Sequence, residues 1–507
     1  MNGAHFGGPF RWWGFQAGPT RWPLTNQASV CFVAQLSQSP CRLQRLDLSP
    51  AWVHPMIRRP SLLATLCLPM ALCVSLGARA ADAALAEPEA VSIHGQITYN
   101  WQRHGAFSDA GGAGANSLTS SANKMYTFTG TAFLGMRPWA NGELYFNPEV
   151  AQGVPFTGNL VGLGGFTNGE ITRAAGTSPS FYRQRLFVRQ TWNRGGGTET
   201  LEAGQNQLAS SVDRNRVVLT AGNFSTLDVF DGNAYAKDPR TQFMNWGSWT
   251  YAAYDYAADS RGFGWGGALE WYQDEWAFRI GRMTGPKEPN GLPTDFALGK
   301  HYGDQVEVER EHVLGGQPGK LRVLWWHNRA VLARFDDASQ LLKSRGYPRY
   351  SDPTALVDAR TGEQDKSGLG INMEQAFSPA VGFFLRWMKA DGKTETHAFT
   401  EADGSLATGL LLNGTLWGRG DDSLGVAFMQ NTLSAQRRNF LANGGISFFI
   451  GDSYLDYKPE TIVETFYSRS VARDAWVTLD YQRVANPAYN AARGPVNVLA
   501  VRFHADF

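Results

Sequence analysis

Long stretches of the chain alternate between apolar and polar residues, and this period of two constrains the fold more than any other feature. The clearest stretch is 91–102, where apolar residues or glycine occupy every odd position and polar residues every even position. Similar alternation recurs at 126–137, 143–150, 183–192, 276–281, 320–325, 381–387 and 499–507. Because successive side chains of a β-strand point to opposite faces, the pattern predicts strands whose two faces meet different surroundings.

Short turns join the predicted strands in pairs. We identify seven such turns, at 137–141, 193–197, 273–275, 315–319, 377–380, 418–422 and 471–475. Between the pairs lie longer segments rich in Gly, Asn, Asp and Pro, and the longest covers roughly 207–262. With both chain termini at the short-turn end, seven turns and eight longer loops predict about sixteen strands. Weak alternation near 446–451 leaves this count open by one hairpin.

Alternation alone does not separate a soluble β-sandwich from a membrane barrel, but three further features favour the barrel. The predicted strands are about 9–12 residues long, which suits a tilted bilayer crossing, whereas globular strands average roughly 5–6 residues. Tryptophan and tyrosine lie near strand ends, and the chain ends on an apolar face at Phe507. We therefore predict an all-β fold: a transmembrane antiparallel up-and-down β-barrel with short periplasmic turns and long extracellular loops. A sandwich remains the alternative.

Three arginines share one face of the strand predicted at 183–192, namely Arg183, Arg185 and Arg189. An arginine on the lipid face of a barrel costs about 2–4 kcal/mol at the bilayer midplane. The three side chains are therefore predicted to face the lumen, and a lumen with that much charge holds water. A barrel of about sixteen strands is too wide for side chains to fill, so an aqueous channel is expected.

Residues 56–80 have the three parts of a secretory signal. Arg58 and Arg59 form a basic start, residues 62–76 form an apolar run, and a small-residue cleavage motif ends at Ala80. The apolar run of about 15 residues is shorter than the roughly 20 that a membrane-spanning helix needs. We therefore predict an exported protein, with a retained N-terminal anchor as the alternative.

The rest of the N-terminal region divides into two parts. Residues 1–55 are rich in Trp, Pro and Arg without either regular period, and we interpret them as a non-native upstream extension, with translation starting at Met56. Residues 81–90 form a short segment before the barrel domain, which is predicted at 91–507. All four cysteines precede position 74, so the mature chain is built without disulfides.

Several function classes find no support in the sequence. The formal net charge is +1 and charged residues make up 18%, so no nucleic-acid partner is predicted. The nine histidines are scattered without a metal-binding motif, and neither a metal nor a cofactor is predicted. Residues 262–267 match G-x-G-x-x-G, but a strand follows at 268–272 where a nucleotide site needs a helix. No catalytic motif is present, and an enzyme is not predicted.

Several segments of the chain resemble the carbohydrate-selective (OprB-type) porins of Gram-negative bacteria. They are 142–149 (GELYFNPE), 165–170 (GFTNGE), 219–224 (LTAGNF), 230–243 (FDGNAYAKDPRTQF), 254–256 (YDY), Arg261-Gly262 and the ending from Asn486 to Phe507. The resemblance covers about 90–507, and 228–246 is its most specific part. It implies a passive sixteen-stranded channel of the outer membrane that prefers monosaccharides.

A sugar channel needs a particular set of side chains at its constriction. Sugar hydroxyls donate and accept hydrogen bonds, and the C–H face of a sugar can lie on an aromatic ring. Charge-assisted hydrogen bonds are strong, yet each contact must allow release. The candidate pore-lining residues are Glu143, Glu149, Arg183, Arg185 and Arg189 on strands, and Asp228, Asp231, Asp238, Arg240 and Trp246 in the long loop. Each has a structural alternative, since the loop aspartates can shape turns and Trp246 can serve packing alone.

The leading hypothesis is a passive channel for monosaccharides and similar small hydrophilic solutes. Because of the arginine row, a general or anion-preferring porin is the first alternative. A barrel enzyme such as a lipid hydrolase and a non-conducting surface-binding barrel are the others. The expected partners are sugars, outer-membrane lipid and the barrel-assembly machinery, which is expected to recognise the C-terminal Phe507. A homotrimer is left open.

Overall fold

A computed structural model describes residues 88–174, 176–346, 352, 354–399 and 401–507. Sixteen strands form one closed antiparallel barrel, and two more form a separate hairpin. In chain order the strands are β1 (Val91–His104), β2 (Asn123–Trp139), β3 (Gly142–Val154), β4 (Gly176–Asn193), β5 (Thr198–Leu201), β6 (Ser210–Asp213), β7 (Arg216–Phe224), β8 (Gly264–Gln273), β9 (Trp276–Met283), β10 (Tyr302–Leu314), β11 (Gln317–Val331), β12 (Glu363–Ser378), β13 (Val381–Ala390), β14 (Gly404–Asn413), β15 (Ser423–Thr432), β16 (Glu460–Ala472), β17 (Ala475–Ala485) and β18 (Val496–Asp506). The barrel closes where β1 pairs with β18. The predicted fold is confirmed.

The barrel wall is apolar outside and polar inside. On β1, Ile93 is 73% exposed and Tyr99 is 42% exposed, whereas Gln96 and Asn100 are buried in the interior. A soluble protein buries such apolar residues, so this inverted arrangement suits an outer face covered by lipid. The period of two seen in the sequence arises directly from these two environments.

The two ends of the barrel differ in the length of their connections. Seven connections lie at one end, and six of them are short, as at residues 140–141 and 473–474. Eight longer loops lie at the other end. The seventh connection differs from the prediction of a short turn at 193–197. These residues lead into the β5–β6 hairpin rather than directly into a barrel strand. The longest loop is correspondingly shorter than 207–262, because β7 occupies part of that range.

Helices are short and lie mainly in the long loops. They are α1 (Trp246–Trp249), α2 (Phe335–Ser344), α3 (Ala355–Asp358) and α4 (Ala435–Ala442), with 3₁₀-helices at Phe156–Gly158, Gly169–Arg173, Thr226–Asp228, Gly414–Trp417 and Pro487–Tyr489. No helix in the described residues is long and apolar enough to cross a membrane. The predicted extension 1–55, the predicted signal 56–80 and residues 81–87 lie outside the described residues.

Candidate functional site

The loop between β7 and β8, residues 225–263, folds into the barrel and is called the central loop here. Its start is fixed locally: the Ser225 side chain accepts a backbone hydrogen bond, and the Asp228 side chain accepts one from the Ser225 N–H in return. Asp231 then takes a left-handed backbone conformation with φ of 56°, which aspartate tolerates better than most residues. Most of the following residues are buried, so the loop fills much of the lumen.

One fully buried ion pair fastens the central loop to the wall. Arg386 on β13 donates from Nε to Asp231 Oδ1 at 2.8 Å. Its Nη1 donates to the carbonyl oxygens of Ala236 and Ser248, at 2.6 and 2.7 Å. Asn372 on β12 adds a hydrogen bond of 2.5 Å to the same Asp231 oxygen. Asp231, predicted to line the pore, instead holds the loop in place.

Two further wall residues hold the middle of the central loop. Arg502 on β18 donates to the carbonyl oxygens of Pro239 and Gln242, at 2.8 and 2.7 Å. Glu464 on β16 accepts the backbone N–H of Met244 at 2.5 Å. These two side chains satisfy backbone groups of the loop, which is what an irregular segment inside a barrel requires.

A β-bulge separates the three arginines that the sequence places on one face of β4. Asn147 on β3 pairs with Arg185, and the next residue, Pro148, pairs with Arg183, so Gln184 is left without a partner in the ladder. Paired residues share a face of the sheet. Arg185 therefore points inward with Asn147, whereas Arg183 points outward with Pro148. The expectation that Arg183 faces the lumen is corrected, because one extra residue reverses the alternation.

Arg183 contacts aromatic and polar groups on the outer wall. Its guanidinium lies 5.0 Å from the ring centroid of Trp265 on β8. Its Nε donates to Asn223 Oδ1 at 3.3 Å. Asn223 and Trp265 stand next to the ends of β7 and β8, so Arg183 lies at the rim of the shortest part of the wall.

The other two arginines of β4 form ion pairs inside the lumen. Arg185 donates from Nε and Nη2 to both carboxylate oxygens of Asp228, each at 2.7 Å. Burial alone would raise the pKa of the Asp228 carboxyl, but Arg185 holds it below its usual range. Arg189, closer to the short-turn end, lies 3.4 Å from Glu143, which also binds Arg137 at 3.1 Å. Both ion pairs can offer charge-assisted hydrogen bonds to a solute.

Arg240 of the central loop lies between two carboxylates from different elements. Its Nη2 donates to Glu149 on β3 at 2.9 Å, and its Nε donates to Glu170 at 3.0 Å. Glu170 also binds Arg173 at 2.6 Å. Burial alone would raise the pKa of Glu170, but Arg240 and Arg173 together lower it to about 2. Glu149 is enclosed by these contacts, so it positions Arg240 and does not itself border the open space.

A cavity, called the passage here, lies between the central loop and the wall formed by β2 and β4. Its volume is about 240 Å³, below the roughly 300–1,000 Å³ of pockets for drug-sized ligands. Its charged lining residues are Arg173, Arg185, Asp228, Lys237, Asp238, Arg240 and Arg261, and its aromatic ones are Phe133, Trp246, Trp249 and Tyr256. Gln205 and Asn206, between β5 and β6, line it from the short-turn end. The passage therefore suits one small solute at a time.

Two cations of the passage form no ion pair within the described part of the chain. Lys237 Nζ donates to the carbonyl oxygens of Phe230 and Asp231, at 3.1 and 2.9 Å. Burial lowers the pKa of Lys237 to about 8, and the nearby Asp231 carboxylate offsets this only in part. Arg261 donates to the hydroxyl of Ser180 at 2.9 Å. The two side chains give the lining of the passage an excess of positive charge.

Trp246 and Trp249 line the passage with their indole rings. Their rings are T-shaped with centroids 4.8 Å apart. Both Nε1 atoms are buried and lack a hydrogen-bond partner among the described residues. Gly169 allows the Trp249 ring to lie against its backbone, since a Cβ on residue 169 would lie 2.3 Å from Trp249 Nε1.

The structure brings half of the predicted site residues together around the passage. These are Arg185, Asp228, Asp238, Arg240 and Trp246. Glu143 and Arg189 lie nearer the short-turn end, in a separate cavity. Glu149 and Asp231 are buried behind other side chains, and Arg183 lies outside. Contact of any of them with a solute stays a prediction.

The lining residues that were not predicted from the sequence include three cations and a tryptophan: Arg173, Lys237, Arg261 and Trp249. Lys237 stands inside the segment 230–243, which carries the family resemblance, so that segment could have indicated it. Arg261 stands in the Arg-Gly pair that also carries the resemblance. Arg173 and Trp249 lie in non-strand segments with no period, and no sequence signal points to them.

A closed antiparallel barrel with an apolar outer face, a loop folded into its lumen and a charged passage beside that loop defines a diffusion channel of the porin class. The carbohydrate-selective porin, OprB family, matches residues 135–507 of the sequence. The chain belongs to this family.

Solved structures are similar in fold at low sequence identity. The high-pH structure of Pseudomonas putida OprB has a TM-score of 0.57 and 12% identity, over 82% of this chain and 94% of that chain. The low-pH structure of the same protein has a TM-score of 0.44 and 9% identity, over 82% of this chain and 93% of that chain. No curated protein gives a significant match. The family and the fold together indicate an outer-membrane channel for small solutes rather than an enzyme.

Proposed function

We propose that neutral monosaccharides and similar small hydrophilic solutes diffuse through the passage into the periplasm. The observation that carries this proposal is that Trp246 and Trp249 line the same small cavity as the Arg185–Asp228 ion pair. A sugar hydroxyl can exchange water for charge-assisted hydrogen bonds there, while the sugar C–H face lies on an indole ring. Because Arg185 and Asp228 are already paired with each other, a neutral solute does not have to bring its own counter-charge.

Vesicle swelling and glucose block of single-channel current test this function. Glucose should enter vesicles that contain the protein faster than a disaccharide does, because the passage holds one small solute. Trp249→Ala should weaken block by glucose, since it removes a ring face from the lining of the passage. Trp271→Ala is the matched control, because Trp271 is exposed on the outer wall. Vesicles that do not swell in glucose would contradict the proposal.

A second candidate function is a channel that prefers small anions. Lys237 and Arg261 favour it, because each adds a positive charge to the passage without an ion-pair partner in the described residues. The reversal potential in a salt gradient separates the two candidates. Strong anion selectivity without glucose block would favour the anion channel, whereas glucose block with weak selectivity would favour the sugar channel.

We also propose the orientation and export that the sequence predicts, with long loops outside the cell, short turns in the periplasm and removal of residues 56–80. N-terminal sequencing of the protein from purified outer membranes tests the removal of residues 56–80. The first residue of the mature chain should be the one that follows Ala80. We propose no catalytic activity. Turnover of phospholipid by the detergent-solubilised protein, lost on substitution of one serine, would contradict this.

The barrel-assembly machinery is the proposed partner of the C-terminal Phe507. The residue is 55% exposed, and its backbone pairs with Gly95 in both directions, at 3.0 and 2.6 Å. Its ring covers Gly95 so closely that a Cβ there would lie 2.3 Å from the ring. Deletion of Phe507 should reduce the amount of heat-modifiable barrel in the outer membrane, and Phe507→Tyr should retain most of it. Normal insertion after deletion would contradict a recognition role.

A homotrimer is the proposed assembly. Its proposed contact surface is the outer face of the barrel at the short strands β7, β8 and β9. β7, β8 and β9 have only 9, 10 and 8 residues. Beside them, Phe181 and Phe296 are 81% and 66% exposed on the outer side. Contact with another copy would cover these side chains. The mass of the native protein in mild detergent tests this, and a monomer would contradict it.

A further inference from the structure

A second cavity, called the exit chamber here, lies at the short-turn end of the lumen. Its volume is about 390 Å³. Its charged and aromatic lining includes Arg137, Glu143, Arg189, Arg216, Glu270 and Tyr272. Asp228, the ion-pair partner of Arg185, lines both the passage and the exit chamber, so the two cavities lie next to each other on either side of this residue.

The β5–β6 hairpin forms part of the chamber wall, in place of a simple short turn. Leu208 near its tip is fully buried, and its N–H donates to the hydroxyl of Tyr145 at 3.1 Å. The Ala209 backbone N–H donates to a carboxylate oxygen of Glu89 at 2.8 Å, and its carbonyl accepts the Glu89 N–H at 2.9 Å. The hairpin is thus held against the wall by the N-terminal segment and by β3, and it is a fixed part of the pore.

The chamber contains polar groups that the protein leaves unused. The hydroxyl of Ser210 is buried and has no hydrogen-bond partner within the described residues. Arg189 and Arg216 each make all their hydrogen bonds to described residues through Nη1 alone, which leaves Nε and Nη2 available. Glu270 accepts from Tyr272 and Arg279 through one oxygen only. The space therefore offers donors and acceptors on several sides.

Each charged group of the chamber already forms an ion pair. Arg216 binds Glu199 of the hairpin at 2.8 Å, and its guanidinium lies 4.2 Å from the ring centroid of Tyr272. Glu270 binds Arg279 at 3.0 Å. Glu143 is bound by Arg137 and Arg189 in the same way. Such a site binds a neutral solute with several hydroxyls more readily than an ion, because an ion would have to displace an existing partner.

We propose that the exit chamber is a second binding site for neutral monosaccharides, in series with the passage. The proposal rests on the proposed function, since a sugar reaches the chamber only through the passage or from the periplasm. Two weak sites in series allow a solute to leave the constriction by moving to an adjacent site rather than directly into bulk water. The connection between β4 and β7 differs from the six short turns because it contains the β5–β6 hairpin. This hairpin encloses the second site.

Noise analysis of single-channel current in the presence of D-glucose tests the proposal. The wild-type protein should give two binding relaxations, one for each site. Ser210→Ala and Arg189→Gln, which change only chamber groups, should weaken one relaxation by about three- to tenfold in affinity, as expected for loss of one hydrogen bond. Trp249→Ala should weaken the other relaxation. Heat-modifiable gel mobility confirms that each variant forms the barrel.

The outcomes separate failure of the second site from failure of the function. A single relaxation that Trp249→Ala weakens, and that both chamber variants leave unchanged, would overturn the exit site while the sugar channel stands. If glucose neither enters vesicles nor blocks the current, both the function and the exit site are overturned. If the chamber variants weaken one relaxation and Trp249→Ala weakens the other, both the sugar channel and the exit site are supported.

Discussion

The lumen has two sides that use the same residue type in opposite ways. On the side walled by β12 to β18, Arg386 and Arg502 are fully buried under the central loop. On the side walled by β2 to β4, Arg185 and Arg189 border open cavities. All four are inward residues of strands with the same period of two. The position of the central loop, not the strand pattern, therefore decides whether an arginine holds the loop or lines the pore.

The two sides also differ in what their ion pairs accomplish. A buried ion pair gains little net stability, because the attraction is offset by the loss of hydration. Breaking one is costly, since a single buried charge is left without a partner. The Arg386–Asp231 pair is of this kind, whereas the Arg185–Asp228 pair keeps some contact with the passage. The first pair fixes the shape of the pore, and the second is placed to act on its contents.

Arg386→Ala should have the largest effect of any substitution in the lumen. It leaves the Asp231 carboxylate buried without its cation and frees the carbonyl oxygens of Ala236 and Ser248. Loss of one partner of a buried pair costs about 3–5 kcal/mol. We expect a lower thermal unfolding temperature and a larger, noisier conductance as the central loop detaches. Thermal melts in detergent and single-channel recordings measure the two effects.

The double variant Arg386→Met with Asp231→Asn is the control for this prediction. It removes both charges, so the uncompensated carboxylate no longer exists. Stability should recover in part if the unpaired charge is the cause of the loss. If Arg386→Ala melts like the wild type and conducts like it, the division of the lumen into a holding side and a lining side is wrong.

Arg185→Ala should change ion flow more than stability. It removes a charge at the junction of the two cavities, and one unit charge at about 4 Å in water is worth about 1 kcal/mol. That energy corresponds to a change of up to about fivefold in local ion concentration. We expect a shift of the reversal potential toward cations and a higher conductance, with a melting temperature near that of the wild type. A variant that fails to fold would make Arg185 a structural residue like Arg386.

Much of the fold could be predicted from the sequence because the membrane enforces the strand pattern. Lipid outside and polar groups inside impose strict alternation, so the number of strands and six of the seven short connections could be predicted, whereas β7 lies inside the segment predicted as the longest loop. The β5–β6 hairpin could not, since its strands have only four residues each. The bulge at Gln184 also could not, because a single extra residue leaves the flanking apolar pattern intact on either side.

The site was less predictable because it depends on a loop without a period. Asp228, Asp238, Arg240 and Trp246 could be placed near the passage from the resemblance and the residue types. The residues around Asp231 in the sequence are of the same types as those around Asp228. The Asp231 side chain nevertheless points to Arg386 and away from the open space. Only the path of the central loop through the lumen distinguishes the two aspartates at positions 228 and 231, and that path is set by contacts with strands more than 130 residues further along the chain.

Lys237 should make the selectivity of the passage depend on pH. Burial lowers the pKa of Lys237 to about 8, so the side chain is cationic at pH 6.5 and largely neutral at pH 9.5. The anion-to-cation permeability ratio should therefore fall as pH rises through 8, by about twofold for loss of one partly screened charge. Reversal potentials in a salt gradient measure it. Lys237→Met should abolish the change, and a change that persists in this variant would assign it to another group.

Arg183→Gln should have the smallest effect, and it is the matched control for Arg185→Ala two residues away. The bulge at Gln184 places Arg183 on the outer wall, so its charge is separated from the passage by the sheet itself. The contact with Trp265 is worth about 0.5–1 kcal/mol at an exposed site, so the melting temperature should move only slightly. Conductance, reversal potential and glucose block should equal those of the wild type. A shift in selectivity as large as that of Arg185→Ala would place Arg183 in the lumen and contradict the β-bulge at Gln184.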